Sequence, residues 1–375
     1  MGFDGRKLQS RVEQSGALKL WLEDVTVSDP GPDEIVVRIE AAPINPSDIG
    51  LLLGAADIAT LEGSGTPDRP VATFPLSPER QAAMRGRVDQ ALPVGNEGAG
   101  TVVAAGEGAE HLLGKRVGMI GGAMYADYRK IAARDVLPLP DGASAADGAA
   151  MFVNPLTALG FVETARAEGH KAIVHTAAAS NLGQMLQKIC LKDGIPLINI
   201  VRSEAQAALL REIGATLVLN SKDADFDTQL VQAIAETGAT IAFDAIGGGR
   251  LGSDILQAME QAAGASMKSY SRYGSDTFKQ LYIYGALDPS PSTLNRGAFG
   301  FQWAAGGWLL FPFLQKAGPE VLDAMRRRVV DELTTSFASH YTRTIGLAEA
   351  LHPDVIRAYE RKATGEKYLI DPSRG

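Results

Sequence analysis

Cysteine is almost absent from this chain of 375 residues, in which Cys190 is the only one. A single cysteine forms no disulfide within its own chain and cannot build a cysteine-based structural zinc site. The sequence therefore excludes a small disulfide-stapled scaffold and favours a reducing, cytoplasmic setting.

An excess of positive charge is lacking as well. The chain has 36 lysines and arginines against 44 aspartates and glutamates, which gives a formal net charge of -8. Proteins that bind nucleic acids or anionic membranes need clustered basic residues. We therefore expect neither nucleic acids nor anionic membranes as partners. The expected ligand is a small molecule that is neutral, or whose charge is balanced by side chains at its binding site.

Long apolar runs are missing too. The most apolar stretch, residues 299–314, is interrupted by Gln302 and Pro312 and is shorter than the roughly 20 residues of a membrane span. We interpret it as a buried wall or a subunit interface. Residues 1–6 contain no apolar signal core and carry Arg6 where a myristoylation signal has Ser or Thr, so we expect no export or anchoring signal.

Short β-rich segments separated by turn residues occupy the first part of the chain. Residues 34–40, 100–106 and 115–120 are rich in Val and Ile, with glycine or proline nearby, a pattern typical of short strands. This part of the chain therefore predicts a compact, partly open β-barrel.

Apolar strands alternate with amphipathic helices after residue 154, the pattern of a parallel sheet wound by right-handed crossovers. The candidate strands are 172–175, 197–201, 216–219, 240–244 and 281–284, with helices such as 181–191 and 205–213 between them. A doubly wound nucleotide-binding domain is predicted, and a terminal strand at 367–370 is expected to return to the first domain.

Two segments fit neither pattern. Residues 55–92 are polar and broken by prolines, so we predict a surface excursion with a short helix around 79–88. Residues 266–279 form a polar insertion that carries no recognisable motif. The role of both insertions stays open.

A run of small residues follows the first strand of the predicted nucleotide-binding domain. Ala178, Ser180 and Gly183 have the spacing of a relaxed dinucleotide fingerprint, with Asn181 and Leu182 between them. Small residues there let the backbone approach a pyrophosphate, and the helix that follows offers its amino-terminal N–H groups. The alternative is a small-residue turn of the kind found in α/β proteins that bind no nucleotide.

The end of the second strand distinguishes the two nicotinamide cofactors. A carboxylate at that position binds the ribose hydroxyls of NAD, whereas a cation accommodates the 2′-phosphate of NADP. Arg202 and Ser203 stand there, and a guanidinium suits phosphate. NADPH is therefore predicted, against the alternatives of a solvated surface arginine and an opposing influence of Glu204.

Motifs along nearly the whole chain resemble, in their order, the medium-chain dehydrogenase/reductase family, and especially its quinone reductases and enoyl thioester reductases. They are Ile44-Asn-Pro-Ser-Asp48, Pro93-Val-Gly-Asn-Glu-Gly-Ala-Gly100, Ala126-Asp-Tyr128, Val153-Asn-Pro-Leu-Thr-Ala158, Asp244-Ala-Ile-Gly247 and Gly365-Glu-Lys-Tyr-Leu369. The resemblance implies an α/β protein with a GroES-like β-barrel catalytic domain, residues 1–153 and 337–375, and a Rossmann NADP-binding domain, residues 154–336.

The resemblance also implies roles for single residues. Asn45 would face the nicotinamide, Asn154 and Thr157 would line it, and residues 178–183 would hold the pyrophosphate. The others implied are Arg202, Ser203 and Asn220 at the adenosine end, Ile246, Tyr284 and Gly285 passing over the cofactor, and Lys367 near its edge. For Thr157, Asn220 and Lys367 a purely structural role is the open alternative.

Two departures from the family pattern bear on the chemistry. Asn96 stands where zinc-dependent relatives have a histidine, and the matching cysteine is missing, so we expect no metal. The tyrosine that enoyl thioester reductases place soon after Asn-Pro-Ser-Asp is absent from residues 50–57. Tyr125 is the candidate replacement for that acid, with a packed barrel aromatic as the alternative.

These features predict an NADPH-dependent, zinc-independent reductase that transfers hydride to a quinone or an α,β-unsaturated carbonyl compound. The alternative is a catalytically silent NADPH-binding sensor or interaction protein, which the missing tyrosine and the relaxed glycine loop suggest. A homodimer is also predicted, joined at an edge strand 281–284 that the aromatics of residues 299–314 help to cover. The alternative is that these aromatics line the substrate cleft within one chain.

Overall fold

Two units make up the chain in the computed structural model, which describes residues 2–361 and 366–375. The first unit contains Met1–Val153 and Arg326–Gly375, and the second contains Asn154–Met325. Gly365, the first residue of the last family-like motif, lies outside the described residues.

The amino-terminal part of the first unit is mostly β-structure. Its elements are β1 (Phe3–Glu13), β2 (Ala17–Val27), β3 (Glu34–Pro43), α1 (Pro46–Leu53), β4 (Glu62–Thr66), β5 (Arg69–Pro75), α2 (Pro78–Ala83), β6 (Leu92–Pro93), β7 (Glu97–Ala105), β8 (Arg116–Ile120), β9 (Tyr128–Ala132), β10 (Val136–Pro138) and α3 (Ala145–Gly148). Short 3₁₀ helices lie at Ile58–Thr60, Arg85–Arg87, Glu110–Leu112 and Ala133–Asp135.

Helices and parallel strands alternate in the middle of the chain. The elements are α4 (Val153–Ala167), β11 (Ile173–His175), α5 (Asn181–Asp193), β12 (Leu197–Val201), α6 (Glu204–Glu212), β13 (Leu217–Asn220), α7 (Phe226–Thr237), β14 (Ile241–Asp244), β15 (Gly247–Gly249), α8 (Leu251–Ala265), β16 (Lys279–Ile283), β17 (Asp288–Ser292), a 3₁₀ helix at Arg296–Ala298, β18 (Trp303–Gly307), α9 (Leu310–Ala317) and α10 (Pro319–Asp331). The carboxyl-terminal elements are β19 (Arg343–Ile345), a 3₁₀ helix at Glu349–Leu351, α11 (Pro353–Glu360) and β20 (Tyr368–Ile370).

The first unit consists of two sheets around one core. One sheet has the strand order β4-β5-β2-β1-β6, and the other has β10-β8-β7-β3-β20-β19 with β9 also paired to β3. Alternate residues of β2, namely Leu18, Leu20 and Leu22, point into the core, as the period of two in a half-buried strand requires. The predicted barrel is present, and β20 joins it as expected.

The second unit contains a parallel sheet with the order β13-β12-β11-β14-β16-β18. Numbered from β11, this is the order 3-2-1-4-5-6 of doubly wound nucleotide-binding sheets. Together with the barrel, it confirms the α/β fold class. None of the helices in residues 2–361 and 366–375 has the length and apolarity that crossing a membrane requires.

Two local expectations need correction. The segment 55–92 is more than an excursion with a helix, because its strands β4 and β5 pair with each other and β5 extends the first sheet beside β2. The strand near 281–284 is not a sheet edge, since β16 lies between β14 and β18. Strand β18, from within the apolar run, is the strand at that edge.

The aromatics of residues 299–314 separate into two groups. Phe299 and Trp308 are buried in the second unit, and Phe313 stacks on Trp308 with ring centroids 5.4 Å apart. Phe301 and Phe311 are exposed, with 74% and 64% of their surface accessible. Only part of this run therefore belongs to the core of the second unit.

Candidate functional site

Asn45 lies at the start of α1, where the chain leaves β3 and Pro46 opens the helix. Its backbone N–H donates to Oδ2 of Asp48 at 2.8 Å, and the N–H of Asn96 donates to Oδ1 of the same carboxyl at 2.8 Å. Burial raises the pKa of Asp48 to about 7. The Asp48 carboxyl thus joins the helix start to the loop that contains Asn96.

Glu97, at the first position of β7, accepts hydrogen bonds on both oxygens. Nδ2 of Asn45 donates to Oε1 at 2.7 Å. The backbone N–H groups of Phe152 and Val153 donate to Oε2 at 2.9 and 2.8 Å. The side chain is fully buried, and burial raises its pKa. Because a carboxylate faces Nδ2, the amide plane of Asn45 is fixed.

Lys367 contributes an ammonium group near the two carboxyls. Its Nζ is buried and makes no hydrogen bond to the part of the chain that the structure describes, and it lies 5.4 Å from the ring centroid of Tyr341. Burial lowers the pKa of Lys367 to about 8, while the charges of Glu97 and Asp48 act in the opposite direction. This ammonium therefore offsets part of the buried negative charge.

The Tyr125 hydroxyl is enclosed by the barrel. The residue is 1% exposed, and its hydroxyl donates to the carbonyl oxygen of Pro43 at 3.0 Å. Burial raises its pKa well above the ordinary value, and the negative charge of Asp48 adds to the shift. This is the arrangement of a packed aromatic whose proton is held in place.

An amide and a hydroxyl occupy the positions that correspond to zinc ligands in the family motifs. Nδ2 of Asn96 donates to Oγ of Ser47 at 3.0 Å. Across residues 2–361 and 366–375, no group of three or more His, Cys, Asp or Glu side chains is placed to hold a metal ion.

The small-residue loop after β11 makes a tight entry into α5. Ala177 adopts a left-handed backbone with φ of 49°, and Ser180 caps the helix by accepting from the N–H of Gly183 at 3.1 Å. A Cβ on Gly183 would collide with the carbonyl oxygen of Ala178. Only glycine allows this approach, which brings the start of α5, including Asn181 and Leu182, onto the loop.

The loop also lies at a special point of the sheet. Strand β11 is flanked by β12 and β14, and the chain winds outward from it in both directions. Ligands of open α/β sheets bind at the carboxyl ends of the strands where the winding reverses. Residues 176–183 occupy that place.

Arg202 directly follows β12 and is exposed. Among the described residues its guanidinium has no hydrogen bond or ion pair, whereas the neighbouring Glu204 pairs with Arg211 at 2.5 Å. Ser203 caps α6 through the N–H of Gln206. The cation at this strand end is therefore available, and the adjacent carboxylate is already engaged.

Asn220 ends β13, the strand next to β12. Its Nδ2 donates to Oδ1 of Asp223 at 2.8 Å, and its Oδ1 accepts from the N–H of Lys222 at 3.2 Å. These bonds stabilise the turn that follows β13, so the Asn220 side chain has a structural role at the end of this strand.

A buried pair connects β11 to β14. Oγ1 of Thr176 donates to Oδ1 of Asp244 at 2.7 Å and accepts from the N–H of Ala245 at 2.8 Å. Asp244 also accepts from the N–H groups of Ile246 and Gly247 at 2.9 and 3.1 Å. The backbone around Ile246 is thereby fixed at the carboxyl end of the sheet.

Tyr284, just beyond β16, is joined to the end of β11. Its hydroxyl lies 2.8 Å from Nε2 of His175. Burial lowers the pKa of His175 to about 3, so the imidazole is neutral. Gly285 follows, with its backbone against Ala245. The pair aligns two strand ends of the second unit.

Comparisons with known proteins extend these observations. A family model described as the alcohol dehydrogenase GroES-like domain matches residues 31–141. A crystal structure from Mesorhizobium loti, assigned as an NADPH:quinone reductase, aligns with a TM-score of 0.72 and 27% identity over 98% of both chains. The mitochondrial enoyl-acyl-carrier-protein reductase of Xenopus tropicalis is 28% identical over 216 residues, 54% of this chain and 52% of the relative.

The chain contains an alcohol dehydrogenase GroES-like domain and is similar in sequence and fold to quinone reductases and enoyl reductases. It spans about half the length of that mitochondrial reductase. It also matches 9% of the length of the highly reducing polyketide synthase Preu5 of Preussia isomera, at 23% identity over 253 residues, 65% of this chain.

In the structure, the residues singled out in the sequence fall into two sets. Asn45, Tyr125 and Lys367 belong to the first unit. The second unit holds Asn154, Thr157, Ala178, Ser180, Asn181, Leu182, Gly183, Arg202, Ser203, Asn220, Ile246, Tyr284 and Gly285. Within α4, Asn154 is half-buried and Thr157 is buried.

Four buried polar side chains received too little weight in the sequence-based predictions. Asp48, Glu97, Thr176 and Asp244 are all buried and hold the residues that had been singled out. The Asn-x-x-Asp spacing of Asn45 and Asp48 could have signalled a helix start, because a side chain at the third helical position reaches back to the N–H before the helix.

Proposed function

We propose that this chain is an NADPH-dependent oxidoreductase that transfers hydride to a quinone or to an α,β-unsaturated carbonyl compound. The observation that carries the proposal is the unpaired guanidinium of Arg202 at the end of β12, in a sheet of order 3-2-1-4-5-6. A cation at this strand end suits a 2′-phosphate. The relative from Mesorhizobium loti is assigned as an NADPH:quinone reductase, which favours the same cofactor.

The residues of the second unit fit this cofactor. The glycine-dependent approach of Gly183 to Ala178 leaves room for a backbone-bound pyrophosphate, with Ser180, Asn181 and Leu182 at the helix start. The remaining residues that we assign to the cofactor are Arg202, Ser203 and Asn220 at the adenosine end, and Asn154, Thr157, Ile246, Tyr284 and Gly285 toward the nicotinamide. When bound, NADPH supplies the hydride.

We assign the polar groups on the substrate side to the first unit. Asn45, held by Glu97, and the buried ammonium of Lys367 offer hydrogen bonding and positive charge where an enolate or a hydroquinone develops negative charge. Because the Tyr125 hydroxyl is engaged with Pro43, solvent is the proposed source of the proton. Quinones are the preferred substrates, since their reduction needs no protonation at carbon.

Turnover with a panel of acceptors tests the proposal. NADPH oxidation is followed by absorbance with a quinone, an enone and an enoyl thioester, and NADPH and NADH binding are titrated separately. We expect quinone turnover with NADPH and weaker binding of NADH. Tight NADPH binding with no turnover of any acceptor would instead establish the catalytically silent protein, for which the enclosed Tyr125 is the supporting observation.

We also propose a homodimer formed through β18. This strand is at the edge of the parallel sheet, and Leu309 and Phe311 beside it are 65% and 64% exposed. Twofold pairing covers an unpaired edge and adjacent apolar side chains in both copies at once. Light scattering tests it, and a mass near 39.6 kDa at every concentration would overturn the proposal.

A further inference from the structure

A cavity of about 430 Å³ lies in the first unit, between the β1–β2 hairpin and strand β9. Three cationic side chains line it, Lys7, Arg129 and Lys130. The chain as a whole carries a net charge of -8, so this local concentration of positive charge runs against its overall composition. No residue of the sites described above is among the three.

Arg129 has no acidic partner in the described part of the chain. Its Nε donates to the carbonyl oxygen of Gly122 at 3.1 Å, and its Nη1 donates to the carbonyl oxygen of Lys130 at 2.8 Å. Burial lowers its pKa. These two bonds hold the guanidinium in one orientation but leave its charge uncompensated, and Nη2 has no hydrogen-bond partner among the described residues.

The two lysines have acidic partners outside the cavity lining. Nζ of Lys7 is 3.3 Å from Glu23, and Nζ of Lys130 is 3.6 Å from Glu34. Side chains of Glu23 and Glu34 are 41% and 40% exposed, so water screens these pairs and weakens them. No acidic side chain lines the cavity itself.

Asp4 is close to the cavity, since it accepts a hydrogen bond at 2.6 Å from Oγ1 of Thr26, which lines it. Asp127, next to the cavity in sequence, carries another nearby carboxylate. It is committed to Arg6, whose Nε and Nη2 donate to its two oxygens at 3.0 Å each. A bidentate pair of this kind neutralises both partners, so Asp127 does not compensate Arg129.

Apart from Thr26, the other residues that line the cavity are largely apolar. They include Val25 and Val27 of β2, Pro93 of β6, and Tyr128 with its ring. A volume in this range, with apolar walls and a few convergent polar groups, is typical of small-molecule sites. The combination suits a ligand with an apolar body and an anionic head.

The backbone beside the cavity is strained. Gly122 and Ala123 both have a left-handed backbone, with φ of 83° and 62°, and Ala123 lines the cavity. A left-handed backbone is unfavourable for alanine, and strain of this kind is concentrated at binding sites. Here it turns the Gly122 carbonyl onto Nε of Arg129.

We propose that this cavity binds a small amphipathic anion, a carboxylate or phosphate monoester on a short apolar body, with Arg129 as the anchor of the anionic head. The guanidinium offers a free edge for charge-assisted hydrogen bonds, while Lys7 and Lys130 add positive charge. The site is separate from the proposed NADPH site, so the two proposals stand or fall independently.

Calorimetric titration with three probes of equal chain length tests the site: octanoate, octyl phosphate and uncharged octanamide. We expect both anions to bind. The uncharged amide should bind more weakly, by about tenfold or more, because it cannot form the charge-assisted contact. Binding of one anion alone identifies its head group. Equal binding of all three probes, or of none, overturns the proposal.

Substitutions assign the binding to the cavity. Arg129→Gln should weaken binding of octanoate about tenfold or more, whereas Arg134→Gln, an exposed arginine outside the cavity, should leave it unchanged. NADPH titration and urea unfolding report whether each variant is folded. If Arg129→Gln does not fold, Lys7→Gln decides: unchanged octanoate affinity in that variant contradicts the assignment.

Discussion

Nδ2 of Asn45 donates a 2.7 Å hydrogen bond to Oε1 of Glu97, across 52 residues of sequence and inside the barrel. Both side chains are buried, at 2% and 0% exposure. The bond orients the amide group so that its nitrogen points toward the carboxyl of Glu97. It therefore also determines which part of the amide is left for a ligand.

Glu97→Gln should destabilise the protein by about 2 to 4 kcal/mol. A carboxamide has one acceptor oxygen, so it cannot accept from Asn45 and from the N–H groups of Phe152 and Val153 without placing its own NH2 against a donor. Urea unfolding measures the change. Glu107→Gln, at an exposed position, is the control, and an equal effect of the two substitutions would remove Glu97 from this role.

Arg202→Ala should weaken NADPH binding by about 1.5 to 3 kcal/mol and leave NADH binding unchanged. The reason is that only NADPH carries a 2′-phosphate, the group that the free guanidinium would bind. Fluorescence titration of both cofactors measures it. Arg296→Ala, at an exposed position away from this strand end, is the control, and equal losses for both cofactors would contradict the assignment.

Gly183→Ala should disturb the turn before α5, because a Cβ there collides with the carbonyl oxygen of Ala178. We expect a loss of about 1 to 3 kcal/mol in stability, together with weaker binding of NADPH. Gly264→Ala is the matched control, since nothing lies within 4 Å of the added Cβ in α8. A Gly183→Ala variant that unfolds like the control would disprove the packing argument.

As pH drops from 6.5 toward 3, His175 should contribute a loss of stability, whereas the raised pKa values of the buried Asp48 and Glu97 act in the opposite direction. His175 stays neutral in the fold because burial lowers its pKa from 6.5 to about 3, whereas in the unfolded chain it takes up a proton over that range. At this residue the unfolded state therefore binds more protons, which lowers the free energy of unfolding as pH falls.

His175→Gln should remove this contribution from the pH dependence of the free energy of unfolding. The expected change in slope is up to about 1.4 kcal/mol per pH unit, the value for one proton. Glutamine retains a polar group toward Tyr284 without titrating. Urea unfolding at several pH values measures the slope. The exposed His111→Gln serves as control, and identical slopes in wild type and His175→Gln would refute the prediction.

Exhaustive chelation should leave activity unchanged. The family resemblance implies that Asn96 and Ser47 stand where zinc-dependent relatives have ligands, and here the two side chains hydrogen-bond to each other. An amide and a hydroxyl are poor zinc ligands beside thiolate and imidazole. Metal analysis of the purified protein checks this directly. One tightly held zinc ion per chain, with activity lost on its removal, would contradict it.

Periodicity was informative where strands and helices alternate. The segments around 172–175, 197–201 and 240–244 all contain strands, since fully apolar runs bounded by turn residues have few other solutions. The same reasoning overlooked β1 and β2. Their core-facing residues, such as Leu8 and Val12, alternate with polar ones across an antiparallel hairpin, a weaker pattern than a continuous apolar run.

Edges and partners depend on contacts between distant residues. Strand β16 lies inside the sheet because β18, which follows it in the chain, pairs with its outer side. The sequence of a strand does not show whether another strand will pair with it on that side. The insertion 266–279 is anchored by a buried ion pair of Lys279 with Glu260. Neither residue stood out in the sequence, because single charges have no periodicity.

The sequence by itself determined the order of the motifs, the β-barrel and the doubly wound sheet, because these follow from local patterns of apolar residues, glycine and turn residues. Only the tertiary structure decided which polar groups meet. Glu97 holds Asn45, and Asp244 holds Thr176. Arg129 stays without a carboxylate although Asp127 is two residues away, since Asp127 is engaged with Arg6. A charge acts through space over a few ångströms, and folding alone sets those distances.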